Sequence, residues 1–240
     1  MKSALARLIA AMILFFCVSA LAQTTNDLSD AEIQGRVLAQ KILEQKPADS
    51  FTNTGTLEIR RHDGTIDRLP FRFQAILTTT NWQAIYETTS EGYRVKFAVV
   101  HDANKIRLFQ IRESGLVLSD FSFPLAMSDF WLGDLGLEFF HWPEQKILKK
   151  EVHRSRGCTV LESTNPNPGT NGYSRVVSWI DNETLGIVEA YAYDAQGKKL
   201  KDFYPKDFKK VNGQWQVQTL VMENVQTKSR SVLEFDVKKE

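Results

Sequence analysis

The sequence predicts a mainly β protein in which one helix precedes a series of antiparallel hairpins. After Pro47, apolar and polar residues alternate at period two over most of the chain. Turn residues such as Gly, Asn and Asp interrupt this alternation at short intervals, as they do between hairpin strands. The chain is 42% hydrophobic with 15 Phe, which is enough for a substantial core and for an apolar cavity.

The first 22 residues have the pattern of a signal peptide. Lys2 and Arg7 precede an apolar run over residues 8–18, and Ala20-Leu21-Ala22 is a small-x-small cleavage site. A membrane anchor would need about 20 apolar residues, more than this run supplies. We expect export to the periplasm, cleavage after Ala22, and a single domain over residues 23–240.

Charge and cysteine content narrow the function classes. Cys17 follows two Phe rather than small residues, so the chain is not expected to be lipid-modified there. Cleavage would leave Cys158 without a disulfide partner, and its place beside Val160 indicates a small strand residue. Removing Lys2 and Arg7 leaves 28 basic against 29 acidic residues, so no overall field would recruit nucleic acid.

The helix is predicted near the start of the mature chain. Ser29 or Asp30 can cap it, and Pro47 follows its end. Its apolar positions recur at helical spacing: Ile33, Val37, Leu38 and Ile42.

Hairpins follow in both halves of the chain. Turns are predicted at residues 62–64, 102–104, 181–184, 194–197 and 212–213, each between alternating segments. The Asn212-Gly213 turn should join two short strands, with Trp215 buried on the face of Val217 and Val221. Ser231, Leu233, Phe235 and Val237 should form the last strand.

One stretch, Phe121 to Trp142, interrupts the alternation, and we call it the aromatic segment. It contains seven of the chain's 26 aromatic residues, and Ser128 is a candidate cap for a short helix over residues 129–140. It is either a lid whose aromatics contact a ligand or a plug with ordinary core packing. The candidate ligand-binding residues are Phe121, Phe123, Phe130, Trp131, Leu135, Phe139, Phe140 and Trp142.

Several motifs in the second half resemble those of the outer-membrane lipoprotein-sorting proteins, the LolA-like periplasmic carriers. They are Cys158 to Leu161, Tyr173 leading to Trp179-Ile180-Asp181, Gly197 to Lys201, Val211 to Trp215, Met222-x-Asn224 and Arg230. The helix and the aromatic segment also fall where that family has them.

The resemblance implies a half-open barrel of strongly curved antiparallel sheet, with helices covering an apolar concave face that shelters acyl chains. It also implies partners: acyl chains of lipoproteins or lipids, an inner-membrane transporter and an outer-membrane acceptor. Each CH₂ exposed to water costs about 0.8 kcal/mol, so such chains need an escort. The alternative is a sensor or assembly module on the same fold that binds lipid or a protein partner for regulation.

Enzyme signatures are missing from the sequence. It has no Gly-x-Ser-x-Gly elbow, Gly-rich phosphate loop or His-Glu-x-x-His, and its four His are not at metal-ligand spacing. We therefore predict no catalytic residue, metal or cofactor. Asp129 and Asp134 suit helix capping and solvation better than acid-base work. A basic run suits a solvated hairpin face better than the alternative, a docking surface for a membrane transporter or for lipid headgroups; its members are Lys198, Lys199, Lys201, Lys206, Lys209 and Lys210.

Overall fold

The computed structural model describes residues 28–92, 94–102, 105–211 and 214–236, without the side chains of Val211, Gln214 and Trp215. The expected signal peptide and its cleavage site lie outside these residues. The predicted burial of Trp215 also falls outside them and stays a prediction.

The predicted helix is present as α1, Asp30–Leu43, with Ser29 at its N-cap. The Glu32 carboxylate accepts hydrogen bonds from the backbone N–H and the hydroxyl of Ser29, both at 2.7 Å, which satisfies a free donor of the first turn. The buried face differs from the predicted one. It consists of Gly35, Ala39 and Ile42, whereas Ile33 and Val37 are exposed.

This difference comes from how closely α1 packs on the sheet. A Cβ atom at Gly35 would lie 2.6 Å from the backbone carbon and oxygen of Gln145. Only a residue without a side chain allows this approach. Small residues, which carry little weight in a hydrophobicity pattern, therefore face the sheet.

Thirteen strands occur among the described residues. They are β1 Phe51–Arg60, β2 Ile66–Leu77, β3 Trp82–Thr88, β4 Val95–Asp102, β5 Lys105–Arg112, β6 Gly115–Leu118, β7 Glu144–His153, β8 Arg156–Thr164, β9 Tyr173–Asp181, β10 Ile187–Asp194, β11 Lys199–Val211, β12 Gln214–Asn224 and β13 Ser229–Phe235. All paired neighbours are antiparallel, and the strands form one curved, unclosed sheet in the order β6-β5-β4-β3-β2-β1-β13-β12-β11-β10-β9-β8-β7.

The sheet consists of two meanders joined at the chain ends. Strands β1 to β6 form one, β7 to β13 form the other, and β1 pairs with β13 from Gly55 opposite Phe235 to Arg60 opposite Arg230. The two edge strands, β6 and β7, are consecutive in the chain. The connection between them, which contains the aromatic segment, must therefore pass from one edge of the sheet to the other.

The mainly β prediction and most predicted hairpins are confirmed. Gly64 has a φ of 86° in the β1–β2 turn, a conformation that glycine adopts without steric cost. Two predictions about the lengths of elements were wrong. Strands β11 and β12, with 13 and 11 residues, are long rather than short, and no single helix spans residues 129–140.

Buried apolar residues form two large clusters beneath the aromatic segment, and a smaller third cluster contains Cys158, Val160, Val177 and Trp179. The first includes Leu57, Phe97 and Leu108 on the β1–β6 side, and the second includes Leu161, Val176 and Ile180 on the β7–β10 side. Phe203 of β11 packs against both. The aromatic segment supplies residues to each, so it covers the concave face across the junction of the two meanders.

Candidate functional site

The aromatic segment consists of short turns rather than a regular helix. It contains a 3₁₀ turn at Leu125–Met127, a single α turn, α2, at Leu132–Leu135, and a second 3₁₀ turn at Glu138–His141. Ser128 does not cap α2. Its hydroxyl accepts a hydrogen bond from the Phe130 N–H at 3.2 Å, and the Asp134 carboxylate caps α2 by accepting from the Trp131 N–H at 2.8 Å.

The backbone of this segment is strained at three positions. Ala126, Met127 and Leu137 have φ values of 47°, 61° and 53°. A residue with a Cβ pays about 1 kcal/mol or more in this left-handed region. The observed position of the segment must therefore be held by its contacts with the sheet.

The eight candidate ligand-binding residues fall into three groups. Phe130, Phe139, Phe140 and Trp142 are buried in the core. Trp131 and Leu135 are partly buried and pack against it. Phe121 and Phe123 are exposed, although the Phe123 ring centroid lies 5.4 Å from that of Phe97 on β4. The structure thus places six of the eight against the concave face; that they contact a ligand stays a prediction.

A buried ion pair anchors the middle of the segment. The Nζ of Lys201, on β11, lies 3.4 Å from the Oδ2 of Asp134 and 3.5 Å from the centroid of the Trp131 ring. The Tyr173 hydroxyl donates to the same carboxylate at 3.2 Å, and its ring stacks on Trp131 with centroids 4.4 Å apart. Only 1% of the surface of Lys201 is exposed.

Burial controls the protonation of these groups. It lowers the pKa of Lys201 to about 8, although the nearby Asp134 and Asp129 oppose that shift. Lys201 therefore keeps its charge at neutral pH. Burial also raises the pKa of the Tyr173 hydroxyl well above its ordinary value, so Tyr173 remains a hydrogen-bond donor.

Uncharged sheet side chains anchor the two ends of the segment. The hydroxyls of Ser229 and Ser231, on β13, donate to the two carboxylate oxygens of Asp129 at 2.6 and 2.8 Å. The buried Gln145 amide donates to the backbone carbonyls of Phe139 and Trp142 at 2.8 and 2.9 Å. These hydrogen bonds replace those that the same groups would make to water, so packing the segment on the sheet leaves few polar groups unsatisfied.

A carboxyl group inside the segment is also perturbed. Burial raises the pKa of Glu138 to about 6, while the hydrogen bond from Trp142 opposes the shift and the charge of Asp134 adds to it. The Trp142 Nε1 donates to Glu138 at 3.1 Å. A negative charge at Glu138 therefore destabilises the closed segment.

Little open space remains beneath the segment. A cavity of about 10 Å³ is lined by Asp134, Phe139, Tyr173, Val176, Ala190, Ala192, Lys201, Phe203 and Met222. Such a volume holds about one water molecule. A wider hollow of about 250 Å³ lies between α1 and the end of the segment, and its lining includes Ala39, Leu43, Phe140 and Trp142. A ligand larger than water can reach the space beneath Asp134 and Phe139 only if the aromatic segment moves.

Lys201 occupies a different place from the one that its sequence pattern predicts. The expectation of a solvated face is confirmed for the exposed Lys198, Lys206 and Lys210 but is wrong for Lys201. A register shift opposite Lys199 and Lys201, between Ala192 and Tyr193, breaks the alternation there. Lys199 consequently packs over Tyr191, whereas Lys201 enters the core. The spacing of two residues between Lys201 and the apolar Phe203 was the available signal.

Asp134 corrects a second expectation. It caps α2 as expected, but it is buried and paired with Lys201 instead of being solvated. No residue near Asp134 in the sequence indicates that Lys201, on the facing strand, pairs with it. Cys158 lies buried in β8 as expected of a small strand residue, and burial raises the pKa of its thiol.

The histidines form no metal site in the part of the chain that the structure describes, which contains no group of three or more potential ligands. His101 lies in β4, and its ring stacks on Trp82 with centroids 3.8 Å apart. Among the described residues, the Nε2 atoms of His101 and His141 are buried without a hydrogen-bond partner. No described helix is long and apolar enough for a membrane span.

Solved structures share this architecture. A DUF1329 family protein from Desulfovibrio piger has 18% identity and a TM-score of 0.70, over 88% of this chain and 96% of that one. A putative outer membrane lipoprotein-sorting protein domain from Vibrio parahaemolyticus has 18% identity and a TM-score of 0.68, over 87% and 94%. A LolA superfamily protein from Nitrosomonas europaea has 19% identity and a TM-score of 0.62, over 87% and 92%.

These likenesses establish the fold: the chain shares the curved-sheet architecture of these structures, which include a lipoprotein-sorting domain, as its sequence motifs indicated. A family model described as "Uncharacterized protein" matches residues 119–239, which is just over half of the chain. The protein therefore belongs to that family. No curated protein matches the sequence.

Proposed function

We propose that this protein is a non-catalytic periplasmic carrier that shelters acyl chains of lipids or lipoproteins against the concave face of its sheet. The observation that carries the proposal is the aromatic segment: an apolar concave face is covered by short, strained turns rather than by regular structure. Such a cover can be displaced without unfolding the sheet.

The energetics of an acyl chain suit this arrangement. Transfer of each CH₂ from water to an apolar surface gains about 0.8 kcal/mol, so a chain of about 16 carbons gains roughly 12 kcal/mol. Displacing the segment exposes Phe130, Phe139 and Phe140, whose reburial against the ligand offsets part of the cost. The ligand thus takes over contacts that the closed segment makes in its absence.

Export belongs to the same proposal. A carrier that escorts acyl chains between two membranes acts in the aqueous space between them, and the predicted signal peptide would deliver the mature chain, beginning at Gln23, to that space. An inner-membrane transporter and an outer-membrane acceptor would then be its donor and recipient.

Hydrogen exchange during a lipid titration tests the proposal. cis-Parinaric acid, a fluorescent fatty acid, should bind saturably, and the amides of residues 121–142 should exchange faster in the complex because the ligand displaces them. The strand amides of β8 and β9 serve as the internal control and should not change. Absence of binding, or binding without faster exchange in the segment, would refute the proposed site.

Transfer separates a carrier from a sensor. A carrier should move the fluorescent chain from donor to acceptor vesicles at a rate proportional to protein concentration, because it must release its cargo. Binding without transfer would instead support the sensor or assembly module.

A further inference from the structure

Lys201 has an unusual position for a cation. Among the described residues it is the one lysine or arginine that is buried. The strands around it contribute Val176, Ala190, Ala192 and Met222 to the cavity wall, none of which carries charge. A buried cation in such surroundings requires a nearby anion.

Among the described residues, the anions recorded near Lys201 come from the aromatic segment. Asp134 makes the ion pair at 3.4 Å, and Asp129 is the other carboxylate whose charge favours the protonated lysine. On the sheet side, the Nζ of Lys201 lies 5.3 Å from the centroid of the Tyr173 ring, and the Tyr173 hydroxyl donates to Asp134. Displacing the segment would therefore remove both anions and leave Lys201 at the base of an apolar groove.

We propose that Lys201 binds the anionic headgroup of the acyl ligand, which replaces the Asp134 carboxylate when the aromatic segment opens. This inference rests on the proposed function and adds the chemical class of ligand: an acyl chain that ends in a carboxylate or a phosphate. Asp134 then acts as an internal substitute for the ligand's headgroup, and Tyr173 donates a hydrogen bond to either anion.

A neutral or cationic headgroup would not serve in this position. A neutral one leaves Lys201 buried without a counter-ion, and a cationic one adds repulsion in a site of low polarity. While Asp134 and Asp129 oppose the effect of burial, the pKa of Lys201 is about 8, so the lysine is charged at neutral pH when the ligand's anion replaces the Asp134 carboxylate.

The direct test compares cis-parinaric acid with its methyl ester, which has the same chain and no charge. The unmutated protein should bind the acid at least about tenfold more tightly than the ester. Lys201→Met should abolish this preference and leave ester affinity within about twofold. Lys206→Met, an exposed position on the same strand, is the matched control and should retain the preference.

Asp134→Asn gives an independent readout. It removes the Asp134 carboxylate, which competes with the ligand for Lys201, so the variant should bind the acid more tightly than the unmutated protein does. The Lys206→Met control should bind the acid with the same affinity as the unmutated protein. The double variant Lys201→Met/Asp134→Asn carries no buried charge at either position, and it should fold and bind acid and ester alike. This variant keeps the test valid if Lys201→Met alone does not fold.

Competition distinguishes the two sources of the anion. Oleic acid and lysophosphatidic acid should each displace the probe, and monoolein, which is neutral, should displace it poorly; the stronger competitor identifies carboxylate or phosphate. Equal binding of acid and ester by the unmutated protein would overturn this inference while leaving the acyl carrier intact. If neither probe binds, both the inference and the proposed function fail.

Discussion

Single residues of the aromatic segment differ in what they should contribute. Phe130 is fully buried among the β1–β6 core residues, as in a plug, whereas Trp131 is partly buried and covers Lys201. Burial measures the contacts that a truncation removes. Truncating Phe130 should therefore mainly lower stability, whereas truncating Trp131 should mainly weaken ligand binding.

Phe130→Ala should lower the free energy of unfolding by about 3 to 5 kcal/mol, as large truncations of core aromatics do. Trp131→Ala should lower it by less and should weaken binding of cis-parinaric acid more strongly than Lys199→Ala, a variant on the outer face. Chemical denaturation and fluorescence titration of each variant provide the measurements. Equal losses of stability for Phe130→Ala and Trp131→Ala would show that the whole segment is a plug.

His101 should make stability depend on pH. Burial lowers its pKa from 6.5 to about 4, and the charge of His141 contributes to the shift. Between these values the unfolded chain binds the proton and the folded chain does not, so stability falls as the pH drops from about 6.5 to 4. Glu138, whose pKa is raised to about 6, acts in the opposite direction, and stability falls as pH rises from about 4.5 to 6.

Replacing His101 by Phe keeps a ring against Trp82 and removes the titration. His101→Phe should reduce the loss of stability between pH 6.5 and 4 by about 2 kcal/mol relative to the unmutated chain. Thermal unfolding across this pH range measures it, with the exposed His62→Phe as control. An unchanged pH dependence would show that His101 has the same pKa in the folded and unfolded chains.

The role of a single residue can be predicted from the sequence when its neighbours in the chain determine that role. Ser29 as a cap and Cys158 as a small strand residue follow from such rules. The buried Lys201 does not, because its partner Asp134 is 67 residues away in the chain and a register shift sends its side chain inward. Neither the ion pair nor the register shift has a local sequence signal, and only the two-residue spacing to the apolar Phe203 indicates that Lys201 faces the core.

At the scale of elements, the packing of α1 on β7 depends on one glycine. A methyl group at Gly35 would lie 2.6 Å from the Gln145 backbone, and strand backbone cannot move without breaking its pairing with β8. Gly35→Ala should destabilise the protein by about 1 to 3 kcal/mol through overpacking, despite a gain of up to about 1 kcal/mol in helix propensity.

Thermal and chemical unfolding measure the effect of Gly35→Ala, with Gln34→Ala at the neighbouring exposed position as the control. A stabilised Gly35→Ala protein would contradict the close contact between α1 and β7. The side chain of Gln145 also anchors the aromatic segment, so the same variant should make amides 139–142 exchange faster.

Helices, strands and turns are also predictable from the sequence where neighbouring residues determine them, and not where distant contacts do. Hairpins such as β1–β2 and β9–β10 follow from alternation and turn residues, which act over a few neighbouring positions. The aromatic segment does not, because tertiary contacts hold its short turns and left-handed residues in place. Its apolar residues recur at helical spacing, but no continuous helix forms there.

At the scale of the whole molecule, the order of strands explains why a cover exists. The edge strands β6 and β7 are neighbours in the chain and lie at opposite ends of the sheet. Their connection must span the opening, and its apolar residues lower its free energy by packing on the concave face. The mainly β class was predictable from patterning, and the curved, unclosed sheet was implied by the family motifs.

The carrier account requires the aromatic segment to open. Asp129 and Ser229 are joined by a side-chain hydrogen bond of 2.6 Å, so the double variant Asp129→Cys/Ser229→Cys places two thiols where oxidation can link the segment to β13. Cys158 is buried and is retained. The single variant Asp129→Cys is the matched control.

The decisive measurement is cis-parinaric acid binding by this double variant, oxidised and then reduced. The account predicts that the oxidised protein does not bind, that reduction restores binding, and that the single variant binds under both conditions. Equal binding by the oxidised and reduced double variant, with the disulfide confirmed by mass spectrometry, would contradict the claim that acyl chains reach the concave face beneath the aromatic segment.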